Sequence, residues 1–202
     1  MLTKLKQQVQ TWLTSTATLF HNLGLTPNHV SILGIIFAVL AAVAYSQWRL
    51  NPLFLILAPV LILVSGFFDA LDGVIARVHG EATTFGGFFD SLLDRYADAV
   101  ILCGIILGGL TETSWGLAAL MGSLLVSYAR ARAEAAGTKM ESVGLAERAE
   151  RLVILALASF LSYFWLDALN WAILVLAILT NLTVIQRATY FRKASQRPEK
   201  KE

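Results

Sequence analysis

Six apolar stretches, each long enough to approach the width of a bilayer, alternate with short polar breaks along the chain at 30–46, 52–68, 88–110, 115–129, 152–166 and 169–185. The breaks fall at Asn51-Pro52, at 80–84, at 111–114, at 137–144 and at 162–167, with Ser114 placed to cap the fourth helix. Several stretches lie near the short end of the roughly 17 to 25 residues that a spanning helix needs. The second and third are expected to project beyond the bilayer and carry their polar ends into a layer near its surface. Upstream, Leu2, Leu5, Val9, Trp12, Leu13, Thr16, Leu19 and Phe20 recur at steps of three and four, with Lys4, Lys6, Gln7, Gln8 and Gln10 between them. This periodicity predicts an amphipathic helix that lies in the membrane interface, packs against the rest of the chain, or does both. Pro27 then suits an early position of the first spanning helix. The pattern predicts an all-α integral membrane protein with six transmembrane helices and an N-terminal interfacial helix. Its divisions are an amphipathic segment at 1–24, a six-helix domain at 25–191 and a charged tail at 192–202.

Composition supports the membrane class: 56% of the 202 residues are hydrophobic and 15% are charged. The single cysteine, Cys103, excludes an intrachain disulfide. The first residues lack the continuous apolar core and small-residue cleavage site of a signal peptide, so no processed leader is expected. A net charge of +2 is too small to suggest nucleic acid, and the placement of the basic residues matters more. An even number of spans puts both termini on one side with the loops after the second and fourth helices. That side collects most of the Lys and Arg, while Arg49 falls opposite and Arg95 lies within a span. The positive-inside bias makes that side cytoplasmic.

The most specific feature lies at the junction of the second and third spans. There Asp69, Asp72, Gly73, Ala76 and Arg77 are followed after eight residues by Gly86, Asp90 and Asp94. On helices, Asp69, Asp72 and Ala76 share one stripe and Gly86, Asp90 and Asp94 another, so two facing helices bring four carboxylates together. Four such anions repel one another and lose hydration, which calls for protons or divalent cations. Hard oxygen ligands favour Mg²⁺, Mn²⁺ or Ca²⁺ over zinc, and His21, His29 and His79 are too dispersed for a zinc motif. A two-metal site follows naturally. Gly73 and Ala76 open one helix face, either for close helix packing or for a nucleotide. Arg77 suits a phosphate or a snorkelling position at the helix end.

These residues fill every fixed position of D-x2-D-G-x2-A-R-x8-G-x3-D-x3-D, and the chain resembles the CDP-alcohol phosphotransferases that carry this signature. Eight fixed positions at about one chance in twenty each make accidental agreement at a given start on the order of one in 10¹⁰. The resemblance implies transfer of a phosphoryl-alcohol group from a CDP-activated lipid to an acceptor hydroxyl, with CMP released. It assigns divalent metal ions, expected as two Mg²⁺ with Mn²⁺ as a substitute, to Asp69, Asp72, Asp90 and Asp94. It makes Asp94 the general base and directs the CDP donor to Asp72, Gly73, Ala76, Arg77 and Gly86. A homodimer is also implied.

A second basic region, Arg130, Arg132, Arg148 and Arg151, resembles the branch of the family that makes phosphatidylinositol phosphate or archaetidylinositol phosphate. That branch takes CDP-diacylglycerol or CDP-archaeol and uses inositol 1-phosphate as acceptor. Glu134, Glu147 and Glu150 are placed to fix these guanidinium groups through ion pairs, and Arg187 to complete a phosphate pocket. The positive-inside bias explains arginines here equally well. Asp98, one turn beyond Asp94, reads as a partner of Arg95 or of a metal-bound water. Two other readings stay open: the same chemistry with glycerol 3-phosphate, serine or another alcohol, and a cation transporter whose carboxylates hold an ion in transit.

Overall fold

A computed structural model describes residues 2–140, 143–145 and 147–196, with side chains from Trp12 onward. Its described residues form seven helices: α1 (Leu2–Asn22), α2 (Pro27–Ser46), α3 (Phe54–Val78), α4 (Thr84–Leu107), α5 (Thr113–Ala135), α6 (Arg148–Ser162) and α7 (Asp167–Ser195). Three of them, α2, α3 and α7, are long and apolar enough to cross a membrane. Polar residues set α4 and α5 apart, and α6 has only 15 residues. Each expected apolar stretch falls mainly within one helix, with 108–110 and 163–166 left beyond the ends of α4 and α6, and the helices outrun the stretches where an amphipathic end continues the turn. Thus α3 continues past Phe68 to Val78, and α7 runs through the expected boundary at 191 to Ser195. Residues 197–202 of the expected tail, and the side chains of Leu2, Leu5 and Val9, lie outside the described part.

Local chemistry sets the helix starts. Thr26 accepts from the backbone N–H of His29 while its own N–H donates to His29 Nδ1, forming a capping box with Pro27 inside the first turn. Thr83 caps α4 by accepting from Gly86 N at 2.9 Å. Ser114 does not cap α5. Helix α5 begins one residue earlier, and the two residues before it are held to α7, where Asn170 Oδ1 accepts from Glu112 N at 2.9 Å and from Thr111 Oγ1 at 3.0 Å.

Packing pairs close α2 to α7 into a ring in the order α2, α3, α6, α7, α5, α4 and back to α2, with α1 outside against α3. Ala38, Ala41, Tyr45, Ile62, Ile101, Ile105, Leu169 and Ile173 are among its most buried apolar residues. Small residues let the backbones approach: a Cβ on Gly104 would sit 2.5 Å from the Ala42 backbone. Gly104→Val is therefore expected to separate α2 from α4 and lower the thermal midpoint, an overpacking cost of about 1 to 3 kcal/mol or more. Tryptophan-monitored unfolding in detergent tests this, and an unchanged midpoint would contradict the close approach.

Of the two expectations for the N-terminal helix, packing against the rest of the chain is what α1 shows. Ala17 is fully buried with Val30, Leu71 and Ile75, while Trp12 meets Phe67 at 5.6 Å and Phe20 meets Phe68 at 6.0 Å between ring centres. Leu19 and Leu23 stay exposed. The lower end of α1 is tied to the end of α3 by stacked His21 and His79 rings, 3.8 Å apart, and by a 3.0 Å contact from His21 Nε2 to Glu81.

Candidate active site

The facing pair expected of the motif is splayed around a third helix. Helix α2 packs against both α3 and α4, which make no comparable packing with each other. One result is that the carboxylates divide three and one. Oxygens of Asp69, Asp90 and Asp94 lie within 4.8 Å of one another, a set that suits one hard divalent cation. Asp72 is buried, and its Oδ2 accepts from Ser31 Oγ of α2 at 2.5 Å. It shares a narrow interior gap with the other three but does not join their cluster.

Two larger cavities flank the carboxylates. One, about 390 Å³, is lined by Asp72, Gly73, Ala76, Arg77, Gly86 and Asp90, so every residue assigned to the donor borders one space. Asn28, Ser31, Glu81, Thr83 and Gly87 also line it, and the sequence reading gives none of them a role in the site. The Arg77 guanidinium folds back over Gly73, where an added Cβ would meet Nη1 at 3.1 Å. That approach gives the small residue a local purpose, since Arg77 can reach the cavity across it.

The other cavity, about 520 Å³, opens on the opposite side of the cluster and is bordered by Asp69 and Asp94, but not by Asp72 or Asp90. Arg130, Arg148, Arg151 and Arg187 line it, together with Arg95. Arg132 does not: it is exposed, because two residues along a helix turn a side chain roughly 200° away from Arg130. Among the described residues, Arg148 is the hub of this side. Its Nη1 lies 2.8 Å from both Asp69 Oδ2 and Asp94 Oδ1, and its Nε donates to Asp98 Oδ1 at 3.1 Å. Arg151 Nη2 donates to the other oxygen, Asp98 Oδ2, at 3.2 Å. Asp98 thus pairs with α6 and not with Arg95, which lies 3.5 Å from Asp94 and also donates to the Ser91 carbonyl.

Only part of the expected Arg–Glu pairing forms. Arg130 Nε donates to Glu134 at 2.8 Å, whereas Glu147 and Glu150 form the capping box that starts α6. Capping wins because the first N–H groups of α6 need acceptors at the point where Arg148 enters the site. Arg187 is fixed by carbonyls: Nη1 donates to Val126 O at 2.6 Å and Nε to Val143 O at 2.8 Å. Gly144, at φ +152°, lets that loop press on α7, where a Cβ would meet Thr183 at 2.9 Å.

The carboxylates therefore border two separate polar cavities, which a channel for a passing ion does not require. Comparison with known proteins agrees with the enzyme and leaves no place for the transporter alternative. The family model of the CDP-alcohol phosphatidyltransferases matches residues 24–185. An archaetidylinositol phosphate synthase of Pyrococcus horikoshii is 40% identical over 193 residues, covering 96% of this chain and 97% of the relative. A second, from Methanothermobacter thermautotrophicus, is 43% identical over 172 residues, covering 83% and 84% of the two chains. Crystal structures of Mycobacterium tuberculosis phosphatidylinositol phosphate synthase are similar throughout. The one with manganese and citrate has a TM-score of 0.80 and 30% identity over 94% of this chain and 92% of that one. The one with CDP-DAG bound also has a TM-score of 0.80, with 29% identity over 94% and 96%. This chain, an all-helical protein of the membrane, belongs to the CDP-alcohol phosphatidyltransferase family.

Proposed function

We propose that the enzyme transfers a phosphatidyl or archaetidyl group from a CDP-lipid to inositol 1-phosphate and releases CMP. The observation that carries this is the pair of cavities: the donor motif lines one, and five arginines line the other, with the carboxylates bordering both. Bound divalent cations, proposed as two Mg²⁺ with Mn²⁺ able to replace them, supply charge neutralisation at the donor diphosphate and its leaving phosphate. Asp69, Asp90 and Asp94 are the ligands the geometry favours for one ion, and Asp72, beside the donor cavity, is proposed for the second.

The chain's own residues then divide the work. Arg77 and the small faces at Gly73, Ala76 and Gly86 accept the nucleotide and its phosphates. Asp94 borders the acceptor cavity while belonging to the cluster, so it takes the proton from the acceptor hydroxyl as that oxygen attacks the donor phosphorus. Arg130, Arg148, Arg151 and Arg187 receive the phosphate already carried by the acceptor. That phosphate is a dianion or nearly so, and an arginine-lined cavity matches it better than it matches serine.

Six transmembrane helices with α1 at the interface, in a homodimer, complete the proposal. Both termini and the site face the cytoplasm in it, in keeping with the basic residues gathered at that end. Chelation tests the catalytic part. Removing divalent cations is expected to abolish CMP release from a CDP-lipid with inositol 1-phosphate, and adding back Mg²⁺ or Mn²⁺ to restore it. Undiminished release in metal-stripped protein would contradict the mechanism.

A further inference from the structure

Asp98 belongs to no assigned set, yet it joins two arginines of the acceptor cavity. One carboxylate oxygen accepts from Arg148 Nε at 3.1 Å and the other from Arg151 Nη2 at 3.2 Å. Arg151 is buried, and the Asp98 side chain is only 12% exposed. Water screens such a pair little, and each partner fixes the other's direction. The carboxylate stands on α4 one turn past Asp94, while α6 packs on α3 and α7. Through Asp98, the first turn of α6 is therefore bound to the helix that also carries Asp90 and Asp94. With its Nε held there, Arg148 keeps Nη1 against Asp69 and Asp94, 2.8 Å from each.

We propose that Asp98 is a positioning residue for the acceptor, holding Arg148 and Arg151 as one preoriented phosphate receptor at a fixed distance from the carboxylate cluster. An unrestrained arginine would lose rotamer freedom each time it met a phosphate. A clamped one has lost that freedom in folding, and the gain falls on the acceptor alone. The donor cavity has neither Asp98, Arg148 nor Arg151 in its lining. This inference rests on the phosphorylated-acceptor assignment above.

Asp98→Asn keeps the shape and removes the charge, and Asp98→Glu keeps the charge with its carboxylate displaced by a methylene. Steady-state kinetics in detergent, with CDP-lipid and inositol 1-phosphate varied separately, should show the KM for inositol 1-phosphate raised about 10- to 150-fold in Asp98→Asn. The KM for the CDP-lipid should stay within about twofold, with Asp98→Glu intermediate in its acceptor KM. In a cycle with Arg151→Gln, the double variant should lose less than the product of the single effects. An unchanged acceptor KM, strict multiplicativity, or donor and acceptor KM rising together with a lowered thermal midpoint would overturn the positioning role. If wild-type protein ignores inositol 1-phosphate while turning over an unphosphorylated alcohol, the acceptor assignment itself fails and this role fails with it. A selective failure of the Asp98 variants alone leaves that assignment standing.

Discussion

Asp94→Asn is expected to cut CMP release by about 10² to 10⁴-fold at saturating cation, the usual contribution of a positioned general base. Of the three clustered carboxylates, Asp69 and Asp94 border the arginine-lined cavity, whereas Asp90 borders the cavity on the donor side. Asn keeps the size and one oxygen ligand of Asp94 but cannot hold the proton of an attacking hydroxyl. Asp69→Asn and Asp90→Asn should instead lose activity chiefly through weakened cation binding, and raising the cation concentration should recover part of it. Calorimetric titration of Mn²⁺ alongside the CMP assay separates the two cases. If Asp94→Asn were rescued by cation to wild-type rates, its role would be that of a ligand only.

Arg148→Gln carries the second large effect, and it has two signs. The guanidinium lies 2.8 Å from both Asp69 and Asp94, so its positive charge competes with a cation for their oxygens. It also lines the arginine-rich cavity proposed for the acceptor. Removing it should tighten Mn²⁺ binding in the absence of acceptor. The KM for inositol 1-phosphate should rise at the same time by about 10- to 150-fold, the worth of a hydrogen bond to a charged group. A merely topological arginine would change neither, and would show itself in insertion or expression. Weaker Mn²⁺ binding together with an unaltered acceptor KM would contradict both parts.

The motif was legible because its chemistry is local. The i, i+3 and i+4 steps of Asp69, Asp72, Asp90 and Asp94 place them on helix faces whatever surrounds those helices. The arginine pair Arg148 and Arg151 was legible for the same reason, and the same rule would have set Arg132 aside from Arg130, two residues away. What could not be read was which helix fills the space between two others. The entry of α2 between α3 and α4 divides the carboxylates three and one and brings Ser31 to Asp72, a pairing across 41 residues of sequence. Ser31 follows the Pro27-Asn28 turn that opens α2, but nothing in that turn says which helix it will face. The stacking of His21 on His79 was hidden in the same way, since dispersed histidines meet only once α1 docks. Helix ends were blurred because hydropathy falls away before the hydrogen bonding does, as at Val78 and Ser195.

The most direct measurement is product formation by purified protein with CDP-archaeol or CDP-diacylglycerol as donor. Inositol 1-phosphate, free inositol, glycerol 3-phosphate and serine should be offered in parallel, with CMP and the lipid product both quantified. Cation-dependent CMP release with inositol 1-phosphate, matched by an inositol-phosphate lipid and absent with free inositol and serine, is the expected result. Equal or greater turnover of free inositol or serine, with inositol 1-phosphate ignored, would contradict it.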